Sequence, residues 1–123
     1  MLLKKSFTFD AAHYLPSYKG KCENIHGHTY KTIICIEGTP DEEGMIIDFV
    51  ELKQVLWKEI FSQLDHKLLN EIIPVPSAEN IAVWIFKKTE KVLPSIRKDI
   101  KLKWVEVWET ETSSVVVSSE DVS

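Results

Sequence analysis

The 123-residue chain is short of the features that mark special classes of protein. Its two cysteines, Cys22 and Cys35, are too few for a disulfide framework. With only four glycines, 44% apolar residues and 28% charged ones, it is neither collagen-like nor disordered in composition. No run approaches the roughly 20 apolar residues that a membrane-spanning helix needs. No signal-peptide core follows Met1 to Lys5 either, so the cytoplasm is the expected location and no membrane partner is expected. A basic excess is also missing. Fifteen Lys and Arg stand against nineteen Asp and Glu, a net charge of -4, which argues against nucleic acid as a ligand.

What is present fits one domain, over 1–117, with a Ser-rich, acidic end at 118–123 that reads as a flexible tail. A domain this small buries a modest fraction of its surface, and self-association would add to it. Phe7, Phe9, Ala11 and His13 recur at every second residue, the period of a strand with one face turned inward. The Thr- and Ile-rich run from His26 to Glu37 also reads as extended, which puts His26, His28 and Tyr30 on one face. Asp48, with Glu51 three residues on, opens a helix whose apolar side is Phe49, Leu52, Leu56 and Ile60 and which ends near Leu64. Ser77 caps a second helix with a stripe of Ala78, Ile81, Ala82, Ile85, Thr89 and Val92, and Pro94 stops it. Ile100, Leu102 and Trp104 alternate with lysines. Val105, Val107 and Glu109 then take the second face of the same strand, and Val115 to Val117 completes a hairpin. The expected fold is α+β, ββααββ, an antiparallel four-stranded sheet with two helices inserted between strands 2 and 3.

All four histidines stand beside a possible chemical partner. If the first two strands pair as a hairpin, His13 lies opposite His26 and His28, and three imidazoles with one open position is a catalytic zinc pattern. A polar strand start is the alternative. Gly27 lacks a Cβ and would let a backbone or ligand approach the opposite face. Cys22, four residues before His26, fits either a fourth ligand or a thiolate base whose pKa a nearby cation lowers. Cys35 reads as inert filling. Asp65 beside His66 can fix an imidazole tautomer, although such pairs are mostly ordinary helix-end residues. Glu109, at a strand end, can accept two parallel N–H bonds from a guanidine-like edge or simply face solvent.

Together, Phe9-Asp10-Ala11-Ala12-His13, Cys22-Glu23-Asn24-Ile25-His26-Gly27-His28, Gly44 to Phe49, Leu64-Asp65-His66, Pro76-Ser77-Ala78-Glu79-Asn80 and Glu109-Thr110 resemble the 6-pyruvoyl-tetrahydropterin synthase family. The short spacing from Cys22 to His26 is similar to that of its bacterial and archaeal 6-carboxy-5,6,7,8-tetrahydropterin synthase branch, which serves queuosine biosynthesis. The resemblance implies a tunnelling fold and a homohexamer built as a dimer of trimers, with the site between subunits. It implies Zn2+ held by His13, His26 and His28, Cys22 as base with Asp65 and His66 as proton-transfer partners, and Glu109 as anchor of the pterin ring. Ser77 and Glu79 fall near the family's substrate pocket, where capping of the second helix explains them equally well.

The implied activity is a zinc-dependent carbon–oxygen and carbon–carbon lyase. It would convert 7,8-dihydroneopterin triphosphate to 6-carboxy-5,6,7,8-tetrahydropterin with release of triphosphate and acetaldehyde. Glu23 opens a second route, since in a folate-linked branch a Glu in this loop replaces the Cys and gives 6-hydroxymethyl-7,8-dihydropterin; it also fits an exposed loop carboxylate. The 6-pyruvoyl product, and a non-catalytic metal- or pterin-binding oligomer, are the remaining alternatives.

Overall fold

A computed structural model describes residues 1–16 and 24–122, so Cys22 and Glu23 lie outside the described residues. The order is β1 (Leu2–His13), β2 (His26–Glu37), α1 (Phe49–Glu59), β3 (Lys67–Leu68), α2 (Ala78–Val92), β4 (Lys101–Thr110) and β5 (Ser113–Val117). Among the described residues no helix is long and apolar enough to cross a membrane.

The α+β architecture is as expected, but among the described residues the sheet has five strands in the order β3-β1-β2-β4-β5. The additional strand, β3, pairs parallel with β1 through Ala11 and Ala12, so the sheet is mixed. Two residues are too few to show a period, which is why alternation cannot reveal this strand.

β1 and β2 form a continuous antiparallel ladder that sets His13 opposite His26 and Ala11 opposite His28. One face of this ladder, with Phe7, Phe9, Tyr30 and Ile34, is buried against the helices. On the other face Ser6, Thr8, Asp10, Thr29 and Lys31 are exposed. In β4 the register slips between Cys35 and Ile36 of the neighbouring strand, so that Trp104 and Leu102 are paired in succession and Lys103 is the extra residue. A bulge of this kind switches the alternation. Leu102, Val105 and Val107 thereby all enter the core, where uninterrupted alternation would divide them between two faces.

α1 starts where the Asp48 side chain accepts a hydrogen bond from the Val50 amide, and it buries Leu52 and Leu56. It stops at Glu59, short of Leu64, because Ile60 leaves helical geometry and a 3-10 turn over Phe61–Gln63 follows. Phe61 from that turn stacks on Phe7 with ring centroids 4.4 Å apart, which anchors the helix end to β1. α2 is capped by Ser77 and buries Ile81, Ala82, Ile85, Phe86 and Thr89, with Pro94 in the 3-10 turn after its end. The segment expected to be a loose tail is folded over Ser119–Asp121, where Ser118 and Asp121 form a reciprocal capping box and Val122 packs on the core.

Candidate active site

Hairpin register gathers three imidazoles at the end of the β1–β2 ladder. The ring nitrogens of His13, His26 and His28 lie within 4.8 Å of one another. His13 is buried, and its Nδ1 is 2.7 Å from the Pro76 carbonyl oxygen. The Nδ1 of His26 is 3.0 Å from the Asn24 carbonyl oxygen. A carbonyl oxygen only accepts, so each Nδ1 carries the proton and each neutral ring presents a bare Nε2.

Those two Nε2 atoms face each other at 3.1 Å. Two lone pairs at that distance repel, and a cation between them converts the repulsion into coordination. Nitrogens bound at about 2.0–2.1 Å to one tetrahedral zinc would stand roughly 3.3 Å apart, so the spacing fits that ion. The carbonyl partners on the far nitrogens are the support that metal-binding histidines usually have. Beneath the cluster lies Tyr30, its ring edge-on to His13 and His28. Burial, with the Glu109 charge adding to it, pushes its phenol well above the usual range, so it stays neutral.

Glu109 occupies the second irregularity of β4, left without a register partner between Trp108, opposite Ser114, and Thr110, opposite Ser113. Bulges re-aim side chains. Its Oε1 comes to 3.7 Å from His28 Nε2. Glu109 also lines a cleft of about 290 Å³ with Leu15, Ser77, Glu79 and Ser113. Ser77 therefore caps α2 and faces this cleft at once.

Asp65 and His66 are paired, with Oδ2 2.9 Å from Nδ1. Their place is the outer edge of β1: the Asp10 amide donates to Asp65 Oδ1 at 3.0 Å, and the His66 amide donates to the Asp10 carbonyl at 2.6 Å. The Asp10 amide, as the main cause, holds the Asp65 carboxyl below the usual range, and His66 acts in the same direction against the opposing effect of burial. His66 has φ 59°, the left-handed region, a conformation that costs a non-glycine residue about 1–3 kcal/mol. That step turns the chain out of the 3-10 turn and into β3. Strain held at this position is consistent with a functional role for the imidazole.

His66 opens into a different cleft from Glu109, one of about 560 Å³ lined by Asp10, Gly27, His28, Thr29 and His66. Alternation along β1 turns Asp10 to the exposed face, opposite to His13. A Cβ on Gly27 would meet only Ala11 O, at 3.6 Å, so the protein's own packing does not demand that glycine; the space belongs to the cleft. The structure thus brings together His13, His26, His28 and Glu109, and separately Asp65 and His66.

Four participants were not singled out from sequence. Asp10 acts through its backbone, and the Pro76 and Asn24 carbonyls carry no residue signature. Asn70 also escapes notice, although its amide closes a two-bond pair with Tyr14, Oδ1 accepting from the Tyr14 amide at 3.0 Å and Nδ2 donating to the Tyr14 carbonyl at 2.9 Å. Cys35 is buried, and burial pushes its thiol up despite Lys4 and Lys103, in keeping with a packing role.

Residues 2–120 match the family described as 6-pyruvoyl tetrahydropterin synthase. The chain is 37% identical over 121 residues to 6-carboxy-5,6,7,8-tetrahydropterin synthase of Synechocystis sp., a match that spans 92% of this chain and 89% of the relative. It is 39% identical over 102 residues to dihydroneopterin monophosphate aldolase of Pyrococcus furiosus, a match that spans 83% of each protein. Among solved structures, 6-pyruvoyl tetrahydropterin synthase of Caenorhabditis elegans superposes with a TM-score of 0.80 at 27% identity, over 97% of this chain and 95% of that one.

Proposed function

Because the chain belongs to the 6-pyruvoyl tetrahydropterin synthase family, we propose that it is a zinc-dependent lyase that converts 7,8-dihydroneopterin triphosphate to 6-carboxy-5,6,7,8-tetrahydropterin. Triphosphate and acetaldehyde are the other products. The observation that carries this reading is the facing pair of bare Nε2 atoms on His13 and His26, with His28 and Glu109 beside them. Likeness to the Synechocystis 6-carboxy-5,6,7,8-tetrahydropterin synthase supports the choice of product.

In this reading His13, His26 and His28 hold zinc, and the bound ion supplies Lewis-acid polarisation of the oxygens on the substrate's side chain. Glu109 accepts paired N–H bonds from the pterin edge in its cleft, which fixes the ring, and Glu109 itself lies 3.7 Å from His28. Cys22 takes a carbon-bound proton from that tail. Asp65 orients His66, so the imidazole can accept a proton and return it after carbon–oxygen or carbon–carbon cleavage.

Glu109 and His66 line different clefts of one subunit, with His28 in that of His66, and we take the complete site to form where two subunits meet. We take the assembly to be a homohexamer, a dimer of trimers. The uncovered sheet face and the exposed apolar side chains Met1, Leu2, Met45, Phe49 and Val50 support burial against further copies. The product would serve queuosine and related deazapurine biosynthesis in the cytoplasm.

A second reading is favoured by Glu23 beside Cys22 and by likeness to an aldolase named for a dihydroneopterin phosphate. It is formation of 6-hydroxymethyl-7,8-dihydropterin with Glu23 as base. Incubating zinc-loaded protein with 7,8-dihydroneopterin triphosphate and identifying the pterin by mass spectrometry separates the two. The expected result is a 6-carboxy product whose yield is unchanged in Glu23→Ala. A 6-hydroxymethyl product that disappears in Glu23→Ala assigns the second reading, a 6-pyruvoyl product assigns that branch, and no pterin product leaves a binding protein.

A further inference from the structure

We infer that Asn80 is a positioning residue for the metal centre, acting through the Pro76 carbonyl that sets the tautomer of His13. The inference rests on the reading of the three histidines as zinc ligands. It starts from the Nδ1 of His13, which is 2.7 Å from Pro76 O inside the core. Were that carbonyl turned away, the neutral ring would be free to carry its proton on Nε2, the nitrogen needed for the metal.

The Pro76 carbonyl shares its peptide plane with the Ser77 amide, so whatever holds that N–H also holds the carbonyl. Asn80 bonds to Ser77 and to Val75, the residue that accepts from the Ser77 amide. The Asn80 Nδ2 donates to the Val75 carbonyl at 2.8 Å, and the Asn80 amide donates to Ser77 Oγ at 3.1 Å. The Ser77 amide closes the same turn by donating to Val75 O at 2.9 Å. The Asn80 side chain and the Ser77 amide thus converge on Val75 O, which fixes the plane that carries the Pro76 carbonyl, while the bond from the Asn80 amide to Ser77 Oγ is the helix cap.

Helix energetics do not account for the residue type. Asn80 is the third residue of α2, a position where the helix dipole favours Asp or Glu. Only an amide there supplies a donor to Val75 O while its backbone N–H completes the Ser77 cap. The carboxylate of Asp would face that carbonyl oxygen acceptor to acceptor, yet would suit the helix.

Asn80→Asp therefore separates positioning from folding, with Asn80→Ala as a second variant and Ser77→Ala as a control that removes the cap but keeps the Asn80 to Val75 bond. Three quantities are measured on the full-length protein: zinc affinity by chelator competition, the thermal midpoint of metal-stripped protein, and the His13 tautomer from imidazole 15N shifts of the same stripped protein. For Asn80→Asp the expectation is a zinc affinity about 10-fold weaker, the range for loss of support behind a ligand. Its stripped thermal midpoint stays near wild type, and the Nδ1–H tautomer of His13 becomes a mixture. Ser77→Ala should instead lower the midpoint by roughly 4 °C with zinc affinity within about 3-fold of wild type. An Asn80→Asp protein with an unchanged His13 tautomer overturns the inference, whatever its affinity. The tautomer is read without metal, so it decides the matter even if the wild type takes up no zinc, an outcome that removes the metal reading instead.

Discussion

His28→Ala is expected to abolish stoichiometric zinc retention and, with it, turnover. Structural zinc sites of four ligands bind with about 10–16 kcal/mol, so one ligand is worth roughly 3 kcal/mol, or about two orders of magnitude in affinity. His28 sits opposite Ala11, and its ring meets His13, His26 and Tyr30 edge-on. The β1–β2 ladder and the Phe9–Tyr30 stack below it do not depend on that ring. The variant should therefore fold, with zinc lost from the dialysed protein by atomic absorption and no pterin product. Zinc retained at one per subunit in His28→Ala would remove this histidine from the ligand set.

Asp65→Asn is expected to leave zinc in place and lower kcat by about 10²–10⁴, with KM changed little. The carboxylate is 2.9 Å from His66 Nδ1, and an amide in its place does not enforce the same tautomer. The same substitution carries a stability signature. The folded-state pKa of Asp65 is depressed, so its contribution is present above the unfolded value of about 3.9 and is lost as pH falls through the lower folded value. The stability gap between wild type and Asp65→Asn, measured by urea denaturation, should be full near pH 6 and close as the pH falls through the lower folded value. A kcat within threefold of wild type at pH 7 would make the dyad a structural clamp on β1 alone.

What could be read in advance follows the range over which each feature is encoded. The histidine set is legible because an i, i+2 pair on one strand and the last residue of another need only a hairpin to meet, and the β1–β2 ladder supplies it. Both helices are legible from cap residues and apolar stripes, since Asp48 and Ser77 act within three residues of themselves. The position of the dyad is not. It depends on a two-residue parallel strand and on the backbone of Asp10, 55 residues away from Asp65, and backbone groups leave no trace in residue type. The bulge at Lys103 is hidden for a related reason: the apolar pattern of β4 shows two half-apolar faces, and only the pairing with Cys35 and Ile36 shows that they merge into one. Asn80 stood in a recognised motif, but its partner is the Val75 carbonyl, and its effect on His13 passes through a second carbonyl.

The central claim, a zinc-dependent pterin lyase built on His13, His26 and His28, is tested most directly by titration. Metal-stripped protein is given zinc in fractions of an equivalent, and triphosphate release from 7,8-dihydroneopterin triphosphate is followed at each step. The account predicts no release without zinc, a linear rise, and a break at one zinc per subunit. Equal release from stripped and loaded protein, or zinc bound at one per subunit with no release at any loading, would contradict it.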